Sequence, residues 1–176
     1  MRITGENGVS LTTWKDTHFH KLYPLANNPK IAQNLRDSYP QPYTIHDARY
    51  WIEYNQKFNP PQNFAIELDG QLVGSVGSER GKDELRPNME VGFWIGEPFW
   101  GKGIASEAVK IFTDYLFSKF DVHRVFSQTY DFNVASMRVL EKAGFQAEAI
   151  LKNAFIKNGK MGDLFQYVRL RETEKI

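Results

Sequence analysis

Residues 98–108 read PFWGKGIASEA: two glycines and a lysine between a proline–aromatic pair and a helix-forming run. The first N–H groups of a helix have no intrahelical acceptor, and the macrodipole places partial positive charge at that end. A Gly-x-Gly turn removes the Cβ atoms that would hold an anion off those donors. Gly101 and Gly103 would therefore bare the N–H groups from Lys102 to Ser106, and the chemistry on offer is phosphate binding. Taken alone, the segment is explained equally well as a tight strand-to-helix turn without a ligand. Two familiar phosphate loops are excluded by spacing. GKGIAS lacks the four residues a Walker loop places before Gly-Lys-Ser/Thr, and Ser106 stands where a dinucleotide fingerprint has its third glycine.

Other residues could move protons. Glu90 lies in the apolar run leading to the glycines, and alternation puts it on the opposite strand face from Val91. It is a candidate general base, with a cross-sheet ion pair as the plain alternative. Asn133 opens the helical stretch NVASMRVLEKAGF, and Ser136 stands in its first turn. The chain has no cysteine, which excludes disulfides, thiolate metal sites and a cysteinyl intermediate. His18 and His20 would leave a helix on different sides, and His46 and His123 are isolated, so no metal site is expected.

The elements that must position these groups follow from pattern. VSLTTW reads as a first strand, and Asp16 as the cap of a helix through THFHKLYPLANN that Pro24 bends. A short helix follows Asn28-Pro29, with proline in its first turn. Thr44, with Asp47 three residues on, opens TIHDARYWIEYNQKF. Two alternating runs around Asp69-Gly70 make a hairpin, and MEVGFWIG is the next strand. Ile104, Ala108, Ile111, Phe112 and Tyr115 form one stripe of the helix after the glycines. HRVFSQTY is a strand, Gly144 stops the helix begun at Asn133, and two strands flank the turn KNGKMGD. This order predicts an α/β fold with a central mixed, mostly antiparallel sheet and helices on both faces. No repeat or linker divides residues 1–176, which read as one domain.

The formal net charge is +1, with no basic stripe, so nucleic acid is not expected as the partner. No stretch approaches the roughly 20 apolar residues of a membrane span, and the N-terminal residues lack a signal peptide's apolar run. A cytoplasmic protein is expected.

MEVGFWIGEPFWGKGIASEA, followed some thirty residues later by NVASMRVLEKAGF, resembles the Gcn5-related N-acetyltransferase (GNAT) superfamily, and within it the RimJ/RimL-type branch. The family pattern Gln/Arg-x-x-Gly-x-Gly/Ala falls on Trp100, Gly103 and Ala105, with Trp100 departing from its first position. The second block is met at Asn133, Ser136, Gly144 and Phe145. The resemblance also takes in YPQPYTIHDARYWI and so spans nearly the whole chain.

The resemblance implies acetyl-CoA as co-substrate and no metal. The pyrophosphate would sit on the backbone of Trp100, Gly101, Lys102, Gly103, Ile104, Ala105 and Ser106, with Asn133 orienting the cofactor or a water. The pantetheine arm would run beside Phe93, Trp94 and Ile95. Tyr39 and Tyr43, in the proline-rich loop, would wall the acceptor pocket. The family's late-helix tyrosine, which protonates the departing sulfur, has Leu140 in its place, leaving Ser136 as the proton relay. A homodimer is among the states the resemblance allows.

The acceptor is left open among a protein N-terminus, a small-molecule amine and an amino sugar. Neutralising a lysine amine at pH 7 costs about 4–5 kcal/mol, against about 1 kcal/mol for a peptide α-amine. The alternative to a transferase is a CoA-binding module without turnover.

Overall fold

Eight strands and five helices occur among residues 1–172, the part of the chain that the structure, a computed structural model, describes. In chain order they are β1 (Arg2–Thr4), β2 (Val9–Thr12), α1 (Phe19–Ala26), α2 (Pro29–Ala32), α3 (Ile45–Asn55), β3 (Asn63–Leu68), β4 (Gln71–Arg80), β5 (Asn88–Ile95), α4 (Ile104–Lys119), β6 (Arg124–Tyr130), α5 (Val134–Lys142), β7 (Gln146–Lys157) and β8 (Lys160–Leu170). The strands order as β1-β2-β3-β4-β5-β6-β8-β7. Pairing is antiparallel for β1/β2, β2/β3, β3/β4, β6/β8 and β7/β8. Between β4 and β5, the bonds Gly96 N to Val73 O and Gly81 N to Asn88 O run in opposite chain directions, which also makes that pair antiparallel. Only β5 and β6 are parallel, joined through α4 as parallel strands require. The expected mixed, mostly antiparallel sheet is the observed one.

Most elements form for the local reasons visible in their residues. Thr44 accepts from the Asp47 amide while the Asp47 carboxylate accepts from the Thr44 amide, the reciprocal cap that starts α3. Asn28 Oδ1 accepts from Lys30 N at the start of α2, with Pro29 at its first position. Asp69 and Gly70 both take positive φ in the two-residue turn between β3 and β4.

Two details differ from expectation. β1 precedes the first expected strand; its three residues are too few to show an alternation. Asp16 caps no α-helix: it begins a 3₁₀ turn, Asp16–His18, after Lys15, and α1 starts at Phe19. Pro24 stands inside α1, which ends two residues later.

The described residues divide into two compact units. The first comprises Met1–Gly77 with Phe93–Phe112. Its cluster of Trp14, Leu22, Ala26, Tyr43, Ala48, Ile52, Ala65 and Leu72 joins α1 and α3 to β3 and β4. In the same unit the rings of Phe64 and Phe112 meet edge to face at 5.9 Å, both fully buried. The second unit comprises Ser78–Gly92 and the chain from Thr113 onward. Met89, Val125, Leu116, Leu140, Phe145 and Tyr167 are buried there.

A buried polar group in the first unit carries a pH prediction. Glu67, on β3, accepts from Thr12 Oγ1 at 3.0 Å, lies 3.5 Å from Arg2 and faces His18 Nε2 at 3.5 Å. Lys15 N donates to His18 Nδ1. Burial pulls the His18 pKa below its ordinary value; Glu67 opposes this, and Lys15 and Lys21 add to it. The unfolded chain therefore takes up a proton near pH 6.5 that the folded chain resists, and stability falls as pH drops below that value. The expected slope is at most about 1.4 kcal/mol per pH unit. Urea midpoints measured from pH 7.5 to 5 should show this decline, and His18→Gln should flatten it.

Candidate functional site

The turn into α4 is built as an anion cradle requires. Gly101 and Gly103 have φ of +74° and +75°, a region that L side chains rarely adopt, so the turn itself selects glycine. A Cβ at either position would meet nothing within 4 Å, leaving open space in front of the backbone. Glu107 N donates to the Gly103 carbonyl, which fixes Gly103 as the residue that starts the helix. The N–H groups of Gly101 through Ser106 have no acceptor among the described residues. A first-turn carboxylate could have taken those donors. Glu107 instead turns to the β1–β2 turn and accepts from Glu6 N at 3.0 Å. The donor set, the dipole and the open approach fit a pyrophosphate.

Side chains around the motif and within it hold the approach to this turn. Trp100 donates its indole N–H to the Ile95 carbonyl at 2.7 Å, closing the loop from the end of β5 onto itself. The family's glutamine or arginine would stand where Trp100 makes this bond. Glu97, in the 3₁₀ turn Glu97–Phe99, is ion-paired with Lys30 and accepts from Asn28 Nδ2 at 2.7 Å, both at the start of α2. The hydrogen bond from Lys30, helped by that from Asn28, holds the Glu97 carboxyl below the usual carboxylate range. Lys102 Nζ lies 5.5 Å from the Phe99 ring centroid. Nothing local in the sequence signals the Glu97 contacts, since Lys30 is far from it along the chain.

The remaining sequence-derived residues divide between the two units. Phe93, Trp94 and Ile95 are in the first, on β5, and Trp94 packs against the Trp14–Tyr43 cluster. Gly74 lacks the Cβ that would run into the Trp94 carbonyl, so β4 passes β5 closely there. Tyr39 and Tyr43 are also in the first unit, with ring centroids 5.3 Å apart. Tyr43 is a core residue, and Tyr39 donates its hydroxyl to the Ala26 carbonyl at 2.9 Å. Burial raises both phenol pKa values, with Tyr43 adding to the shift at Tyr39 and Asp47 to that at Tyr43, so both hydroxyls stay neutral.

Glu90, Asn133 and Ser136 are in the second unit. Glu90 is half-buried and stands opposite Phe126, the last registered pair of β5 with β6. One residue on, Ser127 Oγ donates to the Val91 carbonyl at 2.8 Å. Asn133 caps α5, its Oδ1 accepting from Ser136 N at 3.2 Å, which places Ser136 in the first turn as expected. Leu140 is fully buried, so the family's tyrosine position is filled here by a core side chain. No cluster of metal-binding side chains occurs among the described residues. No helix among them is long and apolar enough to cross a membrane.

Comparison with known proteins assigns the chain to a class. The family model "Acetyltransferase (GNAT) domain" matches residues 9–146, and the chain belongs to that family. The "Probable N-acetyltransferase YjcK" of Bacillus subtilis is 31% identical over 126 residues, 69% of this chain and 70% of that protein. The "Ribosomal-protein-serine acetyltransferase" of Escherichia coli is 25% identical over 178 residues, 98% of each chain. A solved structure described as the RimL ribosomal L7/L12 alpha-N-protein acetyltransferase with coenzyme A superposes with a TM-score of 0.83 at 20% identity, covering 97% of this chain and 98% of that one. By family the chain is an N-acetyltransferase.

Proposed function

We propose that the chain, acting over residues 1–176 as one acetyltransferase domain in the cytoplasm, moves the acetyl group of acetyl-CoA to a primary amine by direct attack. The observation that carries this reading is the set of N–H groups from Gly101 to Ser106, without acceptors among the described residues, in a turn where a Cβ on Gly101 or Gly103 would meet only open space. Relatives named as N-acetyltransferases, and the fold neighbour solved with coenzyme A, support the choice of ligand. Acetyl-CoA supplies an activated thioester that an amine can attack without an enzyme-bound intermediate, and the chain has no cysteine to form one.

The roles proposed for the chain's residues follow from that reaction. Trp100 through Ser106 hold the phosphates, and Lys102 adds positive charge there. Phe93, Trp94 and Ile95 offer strand backbone to the pantetheine arm, and Asn133 orients the cofactor or a water. Glu90 takes the proton of the attacking amine as its nitrogen bonds to the acetyl carbon. Ser136 relays a proton to the sulfur as the carbon–sulfur bond breaks, positioning more than acidifying it. Tyr39 contributes an aromatic face on the acceptor side, backed by the buried ring of Tyr43. An α-amine is the favoured acceptor, because a site with one carboxylate base neutralises it for about 1 kcal/mol. The protein-directed names of the Escherichia coli relative and of the RimL structure agree with it.

The test offers acetyl-CoA together with serine-initiated peptides, lysine side chains and amino sugars, and follows thiol release. Glu90→Gln should lower kcat on the best acceptor by about 10²-fold, the low end of what a positioned base contributes, with affinity for acetyl-CoA unchanged. An unchanged kcat removes Glu90 as the base. Acetyl-CoA binding without release of thiol for any amine would favour the non-turnover module.

A further inference from the structure

One edge of β6 is filled along its whole length and the other only in part. β8 pairs with every residue of β6, Leu164–Leu170 against Arg124–Tyr130. On the other edge the parallel pairing with β5 covers Arg124, Val125 and Phe126 and ends there. Ser127 Oγ closes the end of that ladder by donating to the Val91 carbonyl at 2.8 Å. A Cβ on Gly92, the next residue of β5, would meet nothing within 4 Å.

Thr129, two residues beyond Ser127, points to the same face as Ser127 and Val125. It is 6% exposed, and its Oγ1 is buried with no hydrogen-bond partner among the described residues. Buried hydroxyls nearly always have a partner, because losing water without a replacement is costly. Packing does not call for this one: a valine has the same shape, suits a strand as well and carries no such cost. The other unpartnered buried side-chain atom described in this unit is Arg169 Nη1, whose guanidinium is already held by Asp114 at 2.7 Å.

α5 covers the face that Thr129 shares. Tyr167, the cross-strand partner of Ser127, donates its hydroxyl to Glu141 near the end of α5 at 3.2 Å. At the start of that helix, Asn133 N donates to the Tyr130 carbonyl at 2.9 Å. α5 therefore runs back along β6, and its first turn, with Ser136, stands at the Thr129 end.

We propose that the Thr129 hydroxyl binds the sulfur of the acetyl donor and stabilises the negative charge that gathers there as the thiol departs. The proposal rests on the acetyl-transfer reading above, in which Ser136 attends that sulfur. As the amine nitrogen bonds to the acetyl carbon, the carbon–sulfur bond breaks and its electron pair stays on sulfur. The proton for the sulfur comes through Ser136. Thr129 keeps its own proton and donates a hydrogen bond, which strengthens as the charge develops. A serine hydroxyl is a weak acid, so a second donor on the sulfur eases the demand on it.

The chain has no cysteine, so bound coenzyme A brings the only thiol of the complex, and thiolate absorbance reads its ionisation. With desulfo-coenzyme A as the blank, Thr129→Val should move that titration to higher pH, leaving about tenfold less thiolate at neutral pH. kcat for acetyl transfer should fall about tenfold as well, and Thr129→Ser should restore both. Affinity for desulfo-coenzyme A should be equal in all three proteins. Without ligand, Thr129→Val should be at least as stable in urea as the native protein. An unchanged thiol titration in Thr129→Val would overturn the proposal. So would a matching loss of affinity for desulfo-coenzyme A, which puts the contact elsewhere on the ligand. A free Thr129→Val protein less stable than the native one would make the hydroxyl a structural group, and would overturn it too. Failure of the acetyl-CoA reading looks different: the native protein then binds neither form of the coenzyme, and the proposal falls with it.

Discussion

Gly103→Glu should weaken acetyl-CoA binding at least about 10²-fold while the protein still folds. Two physical effects add. The left-handed φ of +75° costs an L residue roughly 1–2 kcal/mol, so the turn is strained by any side chain. The new carboxylate would also stand at the start of α4, where it takes the N–H groups proposed to hold phosphate and repels the ligand. A unit charge about 4 Å away at a protein surface is worth about 4 kcal/mol. A Cβ at Gly103 meets nothing within 4 Å, so folding survives the change. Gly103→Ala separates the effects, carrying the strain without the charge, and should bind several-fold weaker at most. Calorimetry on the three proteins measures both. Equal affinities would show that the glycines serve the turn alone.

Phe112→Ala should cost about 3–5 kcal/mol of stability, the range for a fully buried aromatic whose neighbours relax only in part. Phe112 lies on the buried stripe of α4, in the stretch that follows the cradle, and meets Phe64 of β3 edge to face at 5.9 Å. Truncation removes the apolar burial and that ring contact together. Against a typical total of about 5–15 kcal/mol, the loss is a large fraction, and acetyl-CoA should restore part of it by binding the folded state. Urea unfolding followed by circular dichroism reads the first effect, and its repeat with ligand the second. A loss below about 1 kcal/mol would contradict the packing described.

The features legible in the sequence are those with local chemistry. Thr44 and Asp47 announce α3, Asp69-Gly70 the hairpin, Asn133 and Gly144 the two ends of α5, and the Gly-x-Gly turn the start of α4. Each depends on residues within a turn or two of one another. The stripe on α4 was legible for the same reason, although Val109, Thr113 and Leu116 are buried too and widen it. What the sequence hides is carried by distant partners. Asn28 and Lys30 meet Glu97, and Tyr43 sits in a core assembled from four elements. The insertion of β8 between β6 and β7 is a matter of sheet order that no single segment records. Asp16 shows the converse: a good capping residue type was overridden because the chain enters α1 through a 3₁₀ turn.

The measurement closest to the centre of this account is a calorimetric titration of the purified protein with acetyl-CoA, with ATP and NAD as controls. The account predicts saturable binding of one acetyl-CoA per chain, and no comparable binding of NAD or ATP, whose loops the spacing of Gly101 and Gly103 does not match. A folded sample that takes up no acetyl-CoA, or takes NAD equally well, would contradict it.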